Sequence, residues 1–216
     1  MSNTIESTYV KDVYDKIGDK FSNSRHTVWP NVKKFIDALP ENSRVLDAGC
    51  GNGKNMLIRK DSIDMIGCDL SQTLLDICKE KGLNVLQANI MELPFESNSF
   101  DAVICVAVLH HISTYERREK AVNELIRVVK PGGKVYIEVW AFEQEMTKKF
   151  IKVQSEDSSE KTDVEAEDKD FFVTWDNKYK RFYHLFDKDE MMRMFSHDTA
   201  DIEYIKDNWV TILTKS

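Results

Sequence analysis

The feature that most constrains this chain of 216 residues is a glycine-rich run that follows a short apolar segment. Residues 44–54 read RVLDAGCGNGK, so two apolar residues lead into Asp47 and then into glycines at alternate positions, Gly49, Gly51 and Gly53. Glycine has no side chain and tolerates positive φ, so such a turn lets a ligand press against bare backbone. A helix after the turn would offer free N–H groups to the same ligand. The pattern therefore predicts a strand, a ligand-binding turn and a helix.

The spacing of these glycines narrows the class of ligand. Turns that bind dinucleotides are spaced G-x-G-x-x-G and cradle a pyrophosphate. Here the spacing is G-x-G-x-G, and Asp47, just before the turn, would repel phosphate. The combination favours a ligand with a nucleoside and a positive charge but no phosphate, for which S-adenosylmethionine is the evident candidate. The run resembles motif I of the class I methyltransferases; the alternative is a glycine-rich turn that binds nothing.

Two further segments extend the predicted cofactor site. Residues 63–69 form a second apolar run that ends in Asp69, where an acid can accept hydrogen bonds from both ribose hydroxyls. Ser71 is the expected N-cap of the helix that follows. Many class I methyltransferases carry an Asp at the end of the third strand, predicted here over residues 83–90, and Asn89 can still accept from the adenine amino group. The predicted cofactor-binding residues are Asp47, Gly49, Gly51, Asp69, Leu70, Asn89, Ile90 and Val106.

Apolar strands and amphipathic helices alternate along most of the chain. Strands are predicted over residues 100–111 and 134–140, with a helix over 116–129 between them. A helix capped by Asp187 and an antiparallel hairpin over residues 202–213 follow. Continuous apolar strands indicate a parallel sheet covered on both faces. We therefore predict an α/β, Rossmann-like class I methyltransferase fold in one domain, residues 1–216, with a seven-stranded, mostly parallel sheet and an antiparallel C-terminal hairpin.

Composition excludes several classes of protein. The chain is 42% hydrophobic and 31% charged, as in ordinary globular domains. It has neither an apolar run of transmembrane length nor a secretory leader, so we expect a soluble, cytoplasmic protein that does not contact membranes. The four cysteines form no CxxC pair, and we expect them to be reduced and structural, with no metal site.

The net charge of −7 is unevenly placed. Residues 155–170 carry eight acids against two lysines and contribute most of it. A segment so rich in acids and so poor in large apolar groups cannot bury enough surface to order itself. We therefore predict an acidic, disordered loop over about residues 155–170. Basic residues are frequent elsewhere, and the sequence does not show whether they converge.

Three segments outside the cofactor motifs point to the substrate. They read FSNSR (residues 21–25), WAFEQ (140–144) and RFYH (181–184), and LHHI (109–112) accompanies them. Together they resemble the eukaryotic-type tRNA wobble-uridine methyltransferases over nearly the whole chain, although Thr174 stands where that family usually has Pro. The resemblance implies conversion of 5-carboxymethyluridine in the anticodon loop to its methyl ester, with S-adenosylhomocysteine as the second product. It also implies substrate-side helices in about the first 40 residues and a small zinc-binding activator protein as partner.

The implied reaction requires the enzyme to bind and orient the substrate carboxylate, and it does not require a general base. The substrate carboxylate has a pKa of about 4 and is ionised at neutral pH, so no proton has to be removed. Planar guanidinium groups can pair with it through two hydrogen bonds, while a histidine donates a further hydrogen bond and aromatic rings stack on the extruded base. The predicted catalytic residues are Arg25, His111 and Arg181, and the predicted substrate-binding residues are Trp140, Tyr183 and His184.

Two other functions remain possible for the same sequence. A methyltransferase of small molecules would need the same central residues, and an inactive subunit that only binds the cofactor is the third possibility.

The third strand is expected at the edge of the sheet, where unpaired N–H and C=O groups invite pairing by another chain. We therefore expect the activator to contact residues 63–90, including Met65, Ile66, Leu74 and Ile77.

Overall fold

The computed structural model describes residues 4–153, 167–195 and 199–216. Its main sheet has seven strands in the order β3-β2-β1-β4-β5-β10-β9. The first five strands of this order are parallel, whereas β10 runs antiparallel to both β5 and β9. The strands of this sheet are β1 (Arg44–Ala48), β2 (Asp64–Asp69), β3 (Val85–Gln87), β4 (Phe100–Val106), β5 (Val129–Trp140), β9 (Thr199–Ile205) and β10 (Asn208–Thr214). The predicted fold class is confirmed.

Alternation along the strands sends neighbouring side chains into two separate cores. On one face, Leu46 packs with the apolar stripe of one helix group, and on the other face Val45 packs with a second group. The first group is α5 (Tyr115–Val128) and α6 (Lys188–Met194), and the second is α3 (Pro30–Asp37) and α4 (Gln72–Glu80). Both faces of the sheet are covered, as its continuous apolar strands predict.

Local signals in the sequence fix several helix starts. The Ser71 hydroxyl accepts from the N–H of Leu74 at 3.4 Å, and the Asp187 carboxylate accepts from the N–H of Glu190 at 2.8 Å. Both predicted caps are therefore confirmed. The third strand is shorter than predicted, because only Val85–Gln87 pairs with β2.

A second sheet, which the sequence analysis missed, packs beside the first. It is antiparallel and consists of β6 (Ile151–Lys152), β7 (Asp170–Trp175) and β8 (Tyr179–His184). The N-terminal helical segment lies against it. That segment comprises a short α1 (Thr4–Glu6), a π-helical turn (Ser7–Lys11) and α2 (Asp12–Asn23). Ile5 is buried with Phe172 and Phe182, so this apolar cluster joins the start of the chain to the second sheet.

The predicted acidic loop is only partly covered by the described residues. Residues 155–166 lie outside them, but the end of the predicted loop, residues 167–170, is ordered, which corrects that boundary. Asp170 is the first residue of β7 and only 2% exposed. Its carboxylate lies 2.7 Å from Nδ1 of His184, and a charge partner of this kind lets an acid be buried.

All four cysteines are free and buried. Among the helices of the described ranges, none is both long and apolar enough to cross a bilayer.

Candidate active site

The glycine turn connects β1 to the next helical turn and is held by the end of β2. The Asp69 carboxylate accepts from the N–H of Gly51 and from the N–H of Ser71, each at 2.9 Å. Burial raises the pKa of Asp69, and these backbone hydrogen bonds partly offset that effect. The acid therefore does two things, since it fixes the turn and also lines the cavity beside it.

Two of the glycines are required for different reasons. Gly49 has φ of 85°, and a Cβ there would overlap the side chain of Val108. Gly51 has φ of 54°, and a Cβ there would meet no described protein atom within 4 Å, because it would project into the open cavity. The turn thus presents bare backbone to a ligand, as the spacing predicts.

Asp47 lies beneath this turn and is fully buried. Neither carboxylate oxygen makes a hydrogen bond of good geometry to a described residue, although the Asn55 amide is near enough to favour the charged form. Burial and then the charge of Asp69 raise the pKa of Asp47 to about 7. Asp47 does not line the cavity, so its predicted contact with a cofactor would need the turn above it to shift or a bridging water.

One cleft of about 1260 Å³, measured to its open mouth, brings together nearly all of the predicted site residues. Asp47 and His184 do not line it. The predicted residues that do line it are Arg25, Gly49, Gly51, Asp69, Leu70, Asn89, Ile90, Val106, His111, Trp140, Arg181 and Tyr183. The cleft lies at the carboxyl ends of the parallel strands, where folds of this type bind their ligands.

Arg181 supplies a buried positive charge to this cleft. It is only 4% exposed, and its Nε makes no hydrogen bond to a described residue. Its guanidinium carbon lies 5.2 Å from the Trp175 ring and 5.3 Å from the Tyr183 ring, and Nη1 lies 3.5 Å from the Tyr14 hydroxyl. No carboxylate of the described residues forms an ion pair with it. Burial lowers the pKa of Arg181, whereas Tyr183 and Tyr14 raise it by more. An arginine is in any case charged at physiological pH, so the cleft holds a permanent cation.

The two histidines after β4 are neutral. Burial lowers the pKa of His111 to about 3, and it lowers the pKa of His110 well below its ordinary value. His111 Nδ1 lies 2.8 Å from the carbonyl oxygen of Phe182, and Nε2 lies 3.0 Å from the Tyr14 hydroxyl. Both ring nitrogens of His111 therefore have partners within the chain.

Trp140 and Tyr183 form one aromatic platform. Their rings stack on each other with centroids 4.7 Å apart and an interplanar angle of 25°. That spacing leaves no room for a base between them. Phe150 also stacks on Trp140 with centroids 5.9 Å apart, and His110 packs on Tyr183 with centroids 4.7 Å apart. Both rings line the cleft, but they do not form the two sides of a slot for a base.

His184 is not placed for the substrate contact that we predicted. It is fully buried, and its two nitrogens lie 2.7 Å from Asp170 and 2.9 Å from Glu190. Burial lowers the pKa of His184, but these two carboxylates outweigh burial and raise it. Glu190 also lies 3.1 Å from the buried Arg118. His184 is therefore part of a charged cluster, which we call the buried clamp: Arg118, Glu167, Lys169, Asp170, His184 and Glu190.

The N-terminal segment supplies cavity residues that our prediction missed. Tyr14 and Phe21 on α2, and Trp29 before α3, line the cleft. Arg25 lies at its mouth, is exposed, and stacks with its guanidinium carbon 5.5 Å from Phe21 and 5.8 Å from Trp175. The apolar and aromatic spacing of this segment indicates an amphipathic helix but does not show which surface it covers.

These features fit S-adenosylmethionine. The bare backbone at Gly51 leaves room for a ligand, Asp69 offers a carboxylate to ribose hydroxyls, and the charge of Asp47 favours a nearby cation. Asn89 accepts from the N–H of Met91 at 3.0 Å through its side-chain oxygen, which retains a second lone pair for an adenine amino group. The fold and this cleft define a class I methyltransferase that uses S-adenosylmethionine.

Comparison with known proteins agrees with this class. Residues 46–137 match the family model of the methyltransferase domain. A solved S-adenosylmethionine-dependent methyltransferase from Methanosarcina mazei superposes with a TM-score of 0.69 at 19% identity, covering 87% of this chain and 98% of that one. A solved complex between the Haloferax volcanii Trm112 methyltransferase activator and a putative methyltransferase superposes with a TM-score of 0.65 at 17% identity. The match covers 95% of this chain and 96% of that one.

Curated relatives define the family. The tRNA (carboxymethyluridine(34)-5-O)-methyltransferase of Schizosaccharomyces pombe is 35% identical over 98% of both chains. An Arabidopsis thaliana protein of the same name is 51% identical over 68% of this chain. This chain belongs to the tRNA (carboxymethyluridine(34)-5-O)-methyltransferase family. It spans 36% of the length of the Arabidopsis protein and 42% of that of a Xenopus tropicalis relative.

Proposed function

We propose that this chain methylates the carboxylate of 5-carboxymethyluridine at the wobble position of tRNA, forming the methyl ester and S-adenosylhomocysteine. The observation that carries the proposal is the buried guanidinium of Arg181, which faces the cofactor cleft without an acidic partner among the described residues. A buried charge is costly unless it is paired, so this site is built for an anion that comes from outside the chain.

The chemistry of the cleft suits a carboxylate nucleophile. S-adenosylmethionine supplies a methyl group on a positively charged sulfur, and a carboxylate oxygen is already ionised at neutral pH. His110 and His111 are neutral, with a lowered pKa, and neither is needed as a base. Arg181 draws the anion out of water and orients it, which brings the reacting atoms together. Apolar rings around the guanidinium strengthen that attraction by excluding water.

The mouth of the cleft suits RNA. Lys20 on α2 lies 3.5 Å from Asp176 in the turn between β7 and β8, so α2 and this turn meet at the mouth, where the acid partly neutralises the lysine. Arg25 stands exposed beside them. By contrast, Arg117 pairs with Glu6, and Arg118 belongs to the buried clamp, so that basic pair is not available to RNA. The tRNA substrate is inferred from the relatives, and the exposed guanidinium of Arg25 supports it, because it could pair with RNA phosphates.

We also propose that the chain works as a heterodimer with a small zinc-binding activator protein that pairs with β3. This strand ends the sheet. The carbonyl of Asn84 accepts from Gly67 and the N–H of Ala88 donates to Asp69, so the alternate groups of Val85 and Gln87 point outward. The Haloferax volcanii complex, with its activator, supports such an assembly.

The expected contact residues need one correction. Met65, Ile66 and Leu74 are buried against the chain's own core and cannot form a docking surface. Ile77 and Val85 are half-buried and remain in the proposed contact region. We propose that the complex acts in the cytoplasm, and the four free thiols support a reducing compartment.

The test is methyl transfer in vitro. The chain, co-expressed with an activator of the Trm112 type, is incubated with S-adenosylmethionine and tRNA that carries 5-carboxymethyluridine. Nucleosides are then quantified by mass spectrometry. Appearance of the methyl ester supports the proposal, whereas esterification of the free nucleoside or of unrelated small carboxylates at an equal rate would favour a small-molecule enzyme. Retained cofactor binding with no ester on any carboxylate would indicate an inactive binding subunit.

A further inference from the structure

Tyr14 connects three parts of the site that are far apart in the chain. It lies on α2 and lines the cleft. Its hydroxyl is 3.0 Å from Nε2 of His111 and 3.5 Å from Nη1 of Arg181. Its ring packs edge-on against Phe21, with centroids 5.1 Å apart, and against His111, with centroids 5.3 Å apart. Packing on two sides fixes where the hydroxyl points.

The contacts of His111 determine the direction of each hydrogen bond. A carbonyl oxygen can only accept, so Nδ1 of His111 carries a hydrogen and donates it to Phe182. Burial lowers the pKa of the ring to about 3, so the ring is neutral and Nε2 has only a lone pair. The Tyr14 hydroxyl therefore donates to Nε2, and no N–H of His111 is left for a substrate while both contacts hold.

The oxygen of Tyr14 then faces Arg181 as an acceptor. Because its hydrogen is committed to His111, its lone pairs are free for the guanidinium, which can only donate. Phe182 follows Arg181 directly on β8, so His111 holds the backbone beside Arg181 while Tyr14 holds its side chain. The three residues form a closed circuit across α2, β8 and the turn after β4. The Tyr183 side chain also contacts the Arg181 guanidinium, and Nε, which has no partner among the described residues, stays available to an anion.

We infer that Tyr14 is a positioning residue that aims Arg181 at the substrate carboxylate, and that His111 acts by orienting Tyr14. The inference rests on the proposed function, because it assumes that Arg181 binds a carboxylate. It assigns His111 a role different from the donor to substrate that the sequence suggested. It also makes the docking of α2 a condition for a complete substrate site.

The test measures the carboxylate's share of binding without requiring turnover. Anticodon stem-loops with 5-carboxymethyluridine or with plain uridine are titrated onto the enzyme in complex with S-adenosylhomocysteine, and the ratio of the two dissociation constants is compared. The variants are Tyr14→Phe, Arg181→Ala and both together. Tyr204→Phe is the matched control, because it removes a hydroxyl that bonds Asp207 at 3.1 Å outside the cleft.

We expect the ratio to exceed about tenfold in the wild type and in Tyr204→Phe, in line with a charged hydrogen-bonded contact. It should fall severalfold in Tyr14→Phe and to about one in Arg181→Ala. The double variant should match Arg181→Ala, because contacts in one network are not additive. S-adenosylhomocysteine affinity should stay within about twofold throughout.

Four outcomes would overturn the inference. An unchanged ratio in Tyr14→Phe, or a further loss from Tyr14→Phe in the Arg181→Ala background, would show that Tyr14 does not act through Arg181. A ¹⁵N resonance of His111 Nε2 that is the same in the wild type and in Tyr14→Phe would remove the circuit itself, whatever the substrate. A wild-type enzyme with no preference for the carboxymethylated stem-loop would instead refute the proposed function, and the inference with it.

Discussion

The backbone N–H of Gly51 donates to the Asp69 carboxylate at 2.9 Å, so the acid at the end of β2 holds the glycine turn at the end of β1. The same carboxylate faces the cofactor cleft. The shape of the turn therefore depends on a side chain that we also propose to bind the nucleoside of the cofactor.

Asp69→Ala should weaken binding of S-adenosylmethionine by about tenfold to a hundredfold, since charged hydrogen bonds contribute ~1.5–3 kcal/mol. Isothermal titration calorimetry measures this. Asp64→Ala, at the other end of β2, is the control, because its side chain is largely exposed beside Arg44 and should not change affinity. Equal affinity in wild type and Asp69→Ala would refute the assignment of this acid.

Cofactor affinity should depend on the charge of Asp47. Burial raises its pKa to about 7, so between pH of about 4 and about 7 the folded chain holds a proton that the unfolded chain has released. The free energy of unfolding of the ligand-free protein should therefore fall as pH rises through that interval. Conversely, affinity for the cationic amino group of S-adenosylhomocysteine should rise until about pH 7 and then level off. Asp47→Asn should flatten both profiles, and a wild-type profile already flat would contradict the role of Asp47.

Arg181 and Arg25 should differ in their effect on ester formation. Arg181 is buried and Arg25 is exposed, so a contact made by Arg25 is weakened by water and salt. We expect Arg181→Ala to abolish detectable ester and Arg181→Lys to restore little of it. The reason is that a lysine ammonium cannot form the bidentate hydrogen-bonded pair that a guanidinium forms with a carboxylate. Arg25→Ala should lower kcat/KM less than Arg181→Ala does, and the loss caused by Arg25→Ala should be larger at low salt than at high salt. Arg44→Ala, at the opposite end of the sheet, is the control; full activity of Arg181→Ala would exclude its role.

The buried clamp should make stability sensitive to His184. Removing the imidazole leaves Asp170 buried without its charge partner, at a cost of up to ~3–5 kcal/mol for a broken buried pair, whereas Glu190 keeps Arg118 and Lys169. Because the folded pKa of His184 is raised, its contribution is complete below pH of about 6.5 and is lost as pH rises through the folded value. Urea unfolding of the wild type and His184→Ala at several pH values checks this. The difference in free energy of unfolding between the wild type and His184→Ala should shrink at high pH. A difference that is the same at every pH would mean that His184 is not charged.

Val85→Pro should separate folding from assembly. The N–H of Val85 points away from β2, so proline removes no hydrogen bond within the sheet. It does remove a donor that a partner strand would use. We expect Val85→Pro to melt within a few degrees of the wild type but not to co-purify with an activator of the Trm112 type. The control Val85→Thr should melt at the same temperature and should still co-purify. Unimpaired co-purification would place the partner elsewhere.

Local chemistry explains which features could be predicted. The caps at Ser71 and Asp187 depend on residues three positions apart, and both have the expected form. The positive φ angles of Gly49 and Gly51 likewise follow from the glycine spacing alone. The order of the main sheet follows from a repeated strand and helix pattern.

Long-range packing explains what was missed. The contacts of Tyr14 join residues 97 and 167 positions apart, which no local pattern reveals. His184 lies next to a cavity residue in sequence, but alternation along β8 turns it away from Tyr183 and into the clamp. Asp170 was assigned to a disordered loop because its neighbours are acidic, and its partner is fourteen residues further on.

The clamp also governs how natural variants of this protein should be interpreted. Arg118 and Glu190 are outside the cleft, yet they tie α5 and α6 to the strands that carry Arg181. Loss of either one would disturb the substrate half while leaving the glycine turn and Asp69 intact. On the proposed function, a natural variant with such a change would still bind its cofactor but lose methyl transfer to RNA, and an assay of cofactor binding alone would not detect the defect.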